Sequence, residues 1–245
     1  MEKEKTNKAM DMKISNNHIV FEVETNAGKK NVLLDTGAIG FTPSFDPDVD
    51  EIIINGRLYP AFNRALKMHP NTPKHICQLI GMEVSAFVGH SILESMDVLI
   101  DLQNNTIEFD ATRPEGGCSI DLGFDGGLPV VKMTVNGRVL KAGFDTGAQY
   151  PFVLTELVEE LNLGESIGQF PDFNPNLGHF TPDLYKGNIK IGECEFEAAK
   201  IAVHPKYDES VMYLDVEGFL GINCLIENKV KLWISYANEQ MVIVK

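Results

Sequence analysis

The tetrapeptide Asp-Thr-Gly-Ala occurs twice in this chain, as Asp35-Thr36-Gly37-Ala38 and as Asp145-Thr146-Gly147-Ala148. At ordinary residue frequencies a single Asp-Thr-Gly in a chain this long is expected only roughly 0.05 times. The flanks match as well. Nine residues before each Asp stands an Asn, Asn26 or Asn136, close to a glycine, Gly28 or Gly137, in a hairpin-turn signal. Ahead of each turn, residues 19–24 and 129–135 carry apolar side chains at alternating places, the pattern of a half-buried strand. Each half therefore opens as strand, turn, strand, Asp-Thr-Gly.

The halves also close alike. Phe87-Val88-Gly89 parallels Phe219-Leu220-Gly221, and each is followed by two strand-like segments, 98–102 with 106–109 and 230–234 with 240–244. A repeat of this length is too long for a solenoid and implies two homologous lobes facing one another. Arg113-Pro114-Glu115-Gly116-Gly117 reads as the crossing loop, which gives lobes at residues 13–113 and 114–245 and a frayed tail at 1–12. Strands dominate, so the expected class is all-β with few short helices. The clearest helix candidate has Thr155 as N-cap, Leu157, Val158 and Leu161 on one face and Gly164 as its stop.

Asp-Thr-Gly after an apolar strand, then two apolar residues and Gly late in the lobe, twice in one chain, resembles the aspartic proteases. The Ala after each Gly resembles the retroviral-type (retropepsin-like) branch more than the pepsin branch, and the likeness spans residues 18–244. The resemblance implies a bilobal acid-protease fold of two β-barrel-like lobes, like a retroviral dimer fused into one chain. It implies a monomer with an internal pseudo-twofold, a peptide or protein substrate, and no metal or cofactor. Asp35 and Asp145 would be the catalytic pair, one carboxylate taking the proton of a water while the other, protonated, donates to the scissile carbonyl. Such neighbouring acids share one proton and titrate as a unit; aspartic-protease dyads are the standard example of this coupling.

By the same resemblance, Gly37 and Gly147 offer backbone to the substrate, Thr36 and Thr146 cross-link the two loops beneath the dyad, and Gly89 and Gly221 pack under them. Ala38 and Ala148 border the substrate and lack the hydroxyl that would stabilise a charged carboxylate, so activity at mildly acid to neutral pH is expected. Where the family often has an acidic residue that grips substrate, this chain has Ile39 and Gln149, and only Gln149 can hydrogen-bond through its side chain. His90 and Ile222 stand where retroviral members often have Arg. Residues 168–185, with three Pro and several Gly, suit a lid in the second half, and 52–59 is the hairpin candidate in the first. The alternative is a non-catalytic protein that keeps the cleft to hold extended peptides.

A formal charge of −14 argues against a nucleic-acid groove, which needs clustered Lys and Arg. No run of 18 or more apolar residues suggests a membrane span, and the charged start Met1-Glu2-Lys3-Glu4-Lys5 is unlike a signal peptide. Cys77, Cys118, Cys194 and Cys224 show no Cys-x-x-Cys spacing and are expected to be buried thiols, which suits a reducing, cytoplasmic setting. His75-Ile76-Cys77 is read as ordinary loop and core, and Trp233 as core. No Gly-x-Ser-x-Gly, His-Glu-x-x-His or Walker-type loop competes with the two acids.

Overall fold

Both Asn/Gly signals fold as hairpin turns. Asn136 and Gly137 take φ of 47° and 93°, the left-handed pair of a tight two-residue hairpin, between strands Leu128–Val135 and Arg138–Asp145. The first half has a hairpin at the matching place, His18–Thr25 with Gly28–Leu34, where the positive φ falls on Gly28, at 86°. Each turn Asn also braces its surroundings: Asn26 Oδ1 accepts from the backbone N of Asp50 and Glu51, and Asn136 Oδ1 accepts from that of Asn188. The computed structural model describes residues 9–63, 72–174 and 177–245, and within them the chain is mostly strand with few short helices.

The apolar alternation drives the layout. In His18–Thr25, Phe21 and Val23 are buried while Glu22 and Glu24 face water; in Leu128–Val135, Met133 and Val135 are buried while Lys132 is exposed. The strand that ends at each Asp-Thr-Gly then pairs in parallel with the later apolar segment. Leu33 lies opposite Phe87 and Leu34 opposite Val88; Phe144 lies opposite Leu220 and Asp145 opposite Gly221. The closing hairpins meet in one sheet, where Leu99 pairs with Trp233 and Ile100 with Leu232. One apolar cluster, including Phe21, Leu34 and Ile100 from the first half and Phe144, Leu220 and Leu232 from the second, spans both halves. The two halves thus hold each other in place rather than hanging on a linker.

Three expectations need correction. Residues 1–8 of the expected tail lie outside the described residues, but Met10–Ser15 is a strand paired with 18–21 and 106–107. Met10, Met12 and Ile14 alternate toward the core, a strand pattern too short to stand out. The helix expected from Thr155 is only a 3₁₀ turn, Thr155–Leu157. Asn162 and Gly164 take φ of 51° and 75°, which breaks the run, and the Thr155 hydroxyl bonds Asp208 instead of capping. Cys118 and Cys194 form a disulfide although they stand 76 positions apart, because strands Cys118–Asp121 and Cys194–Val203 bring their Cα atoms to 6.1 Å. Cys77 and Cys224 remain thiols, so cysteine usage no longer argues for a reducing compartment. Among the described residues no helix is long and apolar enough to cross a membrane.

Candidate active site

Each Asp sits where a buried strand runs out into a tight loop, and two backbone bonds that shape the loop recur in both halves. Ala38 N donates to Asp35 O at 3.1 Å and Ala148 N to Asp145 O at 3.2 Å. His90 N donates to Ala38 O at 3.0 Å and Ile222 N to Ala148 O at 3.1 Å, tying each loop to the segment after its later glycine. Only glycine fits at those positions. A Cβ on Gly89 would stand 2.5 Å from the Ala38 carbonyl oxygen, and one on Gly221 would stand 2.8 Å from that of Ala148.

Beneath the loops, Thr36 and Thr146 interlock across the two halves. Thr36 Oγ1 accepts from Thr146 N at 2.9 Å and donates to Phe144 O at 2.8 Å. Thr146 Oγ1 accepts from Thr36 N at 3.0 Å and donates to Leu34 O at 2.9 Å. Both threonines are completely buried, so these four bonds face no competition from water.

The interlock sets the two acids against each other. The Asp35 and Asp145 carboxyl groups are hydrogen-bonded to one another and half-buried at the cavity. The backbones on either side come equally close: a Cβ on Gly37 would lie 2.5 Å from the Asp145 carboxyl carbon, and one on Gly147 would lie 2.7 Å from that of Asp35. Burial raises both acids above the ordinary carboxyl range, Asp35 well above it, where the neighbouring Asp145 charge adds to the effect. Backbone N–H groups pull the other way, among them Gly147 N, which donates to Asp145 Oδ1 at 2.8 Å. The balance is a pair that keeps one proton where isolated carboxyls would lose both.

The pair lies in a cavity of about 470 Å³ that Gly37, Ala38, Gly147 and Ala148 also line. One wall carries Leu33, Ile76, Ile80 and Phe87, the other Leu128, Phe152 and Phe219. Gln149 is not in this lining. Its side chain is buried with Nε2 unpartnered, so it does not fill the substrate-gripping place expected of it. Ile39, expected to contribute nothing polar, does line the cavity.

Of the two lid candidates, the one in the second half borders the cavity. Asp172–Asn174 pairs with Gly178–Phe180 in a separate hairpin, and Asp172, Phe173, Asn174 and Phe180 line the cavity. The hairpin at 51–62 does not line it. Its Ile52 and Ile54 are core residues, and its tip is anchored elsewhere, by Asn55 Nδ2 donating to Phe109 O and by Arg57 pairing with Asp110 at 2.8 Å. The cover on that side is instead the helix Thr72–Ile80, whose His75 packs on Phe173 and His179 of the opposite hairpin with ring centroids 5.2 and 4.6 Å apart.

Sequence reasoning missed this helix, although Thr72-Pro73 is a helix-opening signal. It also missed a third acid. Asp172 accepts a hydrogen bond from Tyr207 at 2.6 Å, and burial raises its carboxyl against that bond, with the Asp145 charge adding a smaller push. No motif marks this pair, which fixes the hairpin to the helix Pro205–Val211. No family model matches the chain, and no curated protein matches it significantly.

Proposed function

We propose that this protein is an aspartic endopeptidase of retroviral-type (retropepsin-like) architecture, two related lobes in one chain with the catalytic cleft between them. The observation that carries this is the hydrogen-bonded Asp35–Asp145 pair at the base of a cavity large enough for several side chains of an extended peptide. Two acids with one proton supply both halves of a hydrolysis. The charged carboxylate takes a proton from water as its oxygen attacks the peptide carbonyl carbon, and the protonated acid gives its hydrogen to the carbonyl oxygen. A neutral gem-diol results, and the proton now sits on the other acid. That acid then protonates the amide nitrogen while a diol hydroxyl returns its proton to the first, so the C–N bond breaks and the dyad regains its starting charge.

The glycines at 37 and 147 leave backbone, rather than side chain, against the reacting carboxyls, which lets a peptide lie close to both. The interlocked threonines hold the acids at a fixed separation, so little reorganisation is needed at the moment of reaction. With alanine at 38 and 148, no side-chain hydroxyl favours the charged dyad, and burial favours the protonated one. Working activity therefore falls at mildly acid to neutral pH. Digestion of a peptide library followed by mass spectrometry tests the reading: the wild-type protein produces discrete cleavages, and Asp35→Asn or Asp145→Asn each abolishes them. Peptide binding without cleavage in the wild type would favour the non-catalytic alternative.

A further inference from the structure

One polar side chain in the cleft takes no part in this chemistry. His18 is 1% exposed and lines the cavity, and its Nδ1 is buried without a hydrogen-bond partner. The backbone oxygens of Asn16, Ser15 and Gly147 lie near the ring and favour its charged form, though none is in hydrogen-bond geometry with Nδ1. Burial outweighs them and pushes the imidazole down from 6.5 to about 4, so the ring is neutral at mildly acid to neutral pH. A neutral imidazole has one donor and one acceptor nitrogen. Buried polar atoms are normally paired, so an unpaired nitrogen in a residue of the cavity wall is an unmet bonding demand.

The turn that carries His18 is rigid. Asn16 and Asn17 both take positive φ, 45° and 59°. Ser15 Oγ donates to Ile80 O at 2.7 Å, and Asn16 Nδ2 donates to Leu79 O at 2.9 Å, joining the turn to the helix that forms one cavity wall. Asn17 Oδ1 accepts from Asn223 Nδ2 at 3.1 Å in the other half.

The internal repeat makes His18 more telling. His18 opens the strand that precedes Asp35, and Leu128 opens the equivalent strand before Asp145, with Val20 opposite Leu33 as Val130 is opposite Gly143. Each stands 17 residues before its Asp, 35 − 18 and 145 − 128, and both line the cavity. The pseudo-twofold therefore places an imidazole on one side of the dyad and an isobutyl group on the other, where Leu128 packs with Phe152 and Phe219.

Resting on the endopeptidase reading, we infer that His18 makes the cleft chemically lopsided: its subsite selects a substrate residue with an amide side chain, Asn or Gln, and the Leu128 subsite selects a large apolar one. An amide offers a donor and an acceptor together, so it satisfies the imidazole in either tautomer. A carboxylate would be set near the negative charge of the dyad, and an ammonium would have to lose its water among Leu33, Ile76, Ile80 and Phe87. An aliphatic residue of equal size leaves the imidazole unpaired, a defect that discriminates strongly between otherwise similar substrates.

Paired peptides differing only by Asn against Leu, at each position flanking the scissile bond, test this with wild type, His18→Leu, His18→Gln and Leu128→His. Wild type is expected to favour Asn over Leu in kcat/KM by about 10-fold or more at one position on the His18 side. His18→Leu abolishes that ratio, His18→Gln keeps it within about threefold of wild type, and Leu128→His creates an amide preference on the opposite side. An unchanged ratio in a folded His18→Leu, checked by circular dichroism, overturns the inference, as does an equal loss on both peptides. If wild type cleaves nothing, the endopeptidase reading fails separately. The ratio of dissociation constants for the same peptides, read by fluorescence anisotropy, then decides the subsite with the same variants and the same two outcomes.

Discussion

Replacing Thr36 by Val keeps the shape of the side chain and deletes one hydroxyl from the interlock beneath the dyad. That hydroxyl bonds Thr146 N at 2.9 Å and Phe144 O at 2.8 Å, and it is wholly buried. Two net hydrogen bonds are worth about 1 kcal/mol each, and a buried N–H left without that partner adds at least about 1 kcal/mol, so a loss of about 3 kcal/mol is the least expected. At this chain length that lowers Tm by about 6–12 °C. Thr36→Ser, which keeps the bonds and gives up one methyl, should lose only about 1 kcal/mol. Urea denaturation with the disulfide intact measures both, provided the m-value is unchanged. Because the four bonds form one network, Thr36→Val with Thr146→Val should fall short of the sum of the single changes by at least about 0.5 kcal/mol. Peptide cleavage should drop in each Val variant as the acids lose their fixed separation. If Thr36→Val is no less stable than Thr36→Ser, the interlock does not hold the halves together and the argument fails.

Other substitutions read the same site through different quantities. The Asp35 carboxyl is raised in the folded protein, so its stabilising contribution is present below the unfolded value of about 4 and is lost as pH rises through the folded one. Asp35→Asn should therefore raise Tm at pH 7 and lose that advantage near pH 3; calorimetry giving the same difference at both pH values would contradict this. His18 has the opposite sign: with its folded value lowered from 6.5 to about 4, its contribution is present above about 6.5 and lost as pH falls through about 4, to the extent of about 3 kcal/mol. His18→Gln should flatten that acid-side loss in a denaturation series, and an unaltered slope would show that the ring is not held neutral. Gly37→Ala puts a methyl 2.5 Å from the Asp145 carboxyl and should reduce cleavage at least about 100-fold with a folded circular dichroism spectrum, and near-normal activity would place the acids elsewhere.

What could be read in the chain before the structure was its repeat. Asp35, Asp145, Thr36, Thr146, Gly89 and Gly221 all lie in short motifs written twice, and local repetition is visible without knowing the fold. Their matching placement follows because each motif occupies the same place in the two halves. The residues that escaped notice act through tertiary contact. Cys118 and Cys194 are 76 positions apart and meet only when strands of two different sheets come together. Asp172 and Tyr207 find each other between a hairpin and a helix, with no spacing to announce them. His18 carries no signal of its own in the sequence, because its meaning depends on Leu128 standing at the matching place. Gln149 departs from the expectation for a related reason: proximity in sequence to an Asp-Thr-Gly loop does not decide which way a side chain turns, and here it turns into the interior. The hairpin at 51–62 is correctly a hairpin, yet Ile52 and Ile54 make it core and leave the cover to a helix.

Carboxyl ¹³C NMR titration of the substrate-free protein, repeated with Asp35→Asn and Asp145→Asn, bears most directly on the shared proton. The account predicts two coupled steps for the Asp35–Asp145 pair, the upper one well above the ordinary carboxyl range, and collapse to a single step when either acid is replaced. Two independent titrations near the ordinary value of about 4, unaffected by loss of the partner, would contradict it.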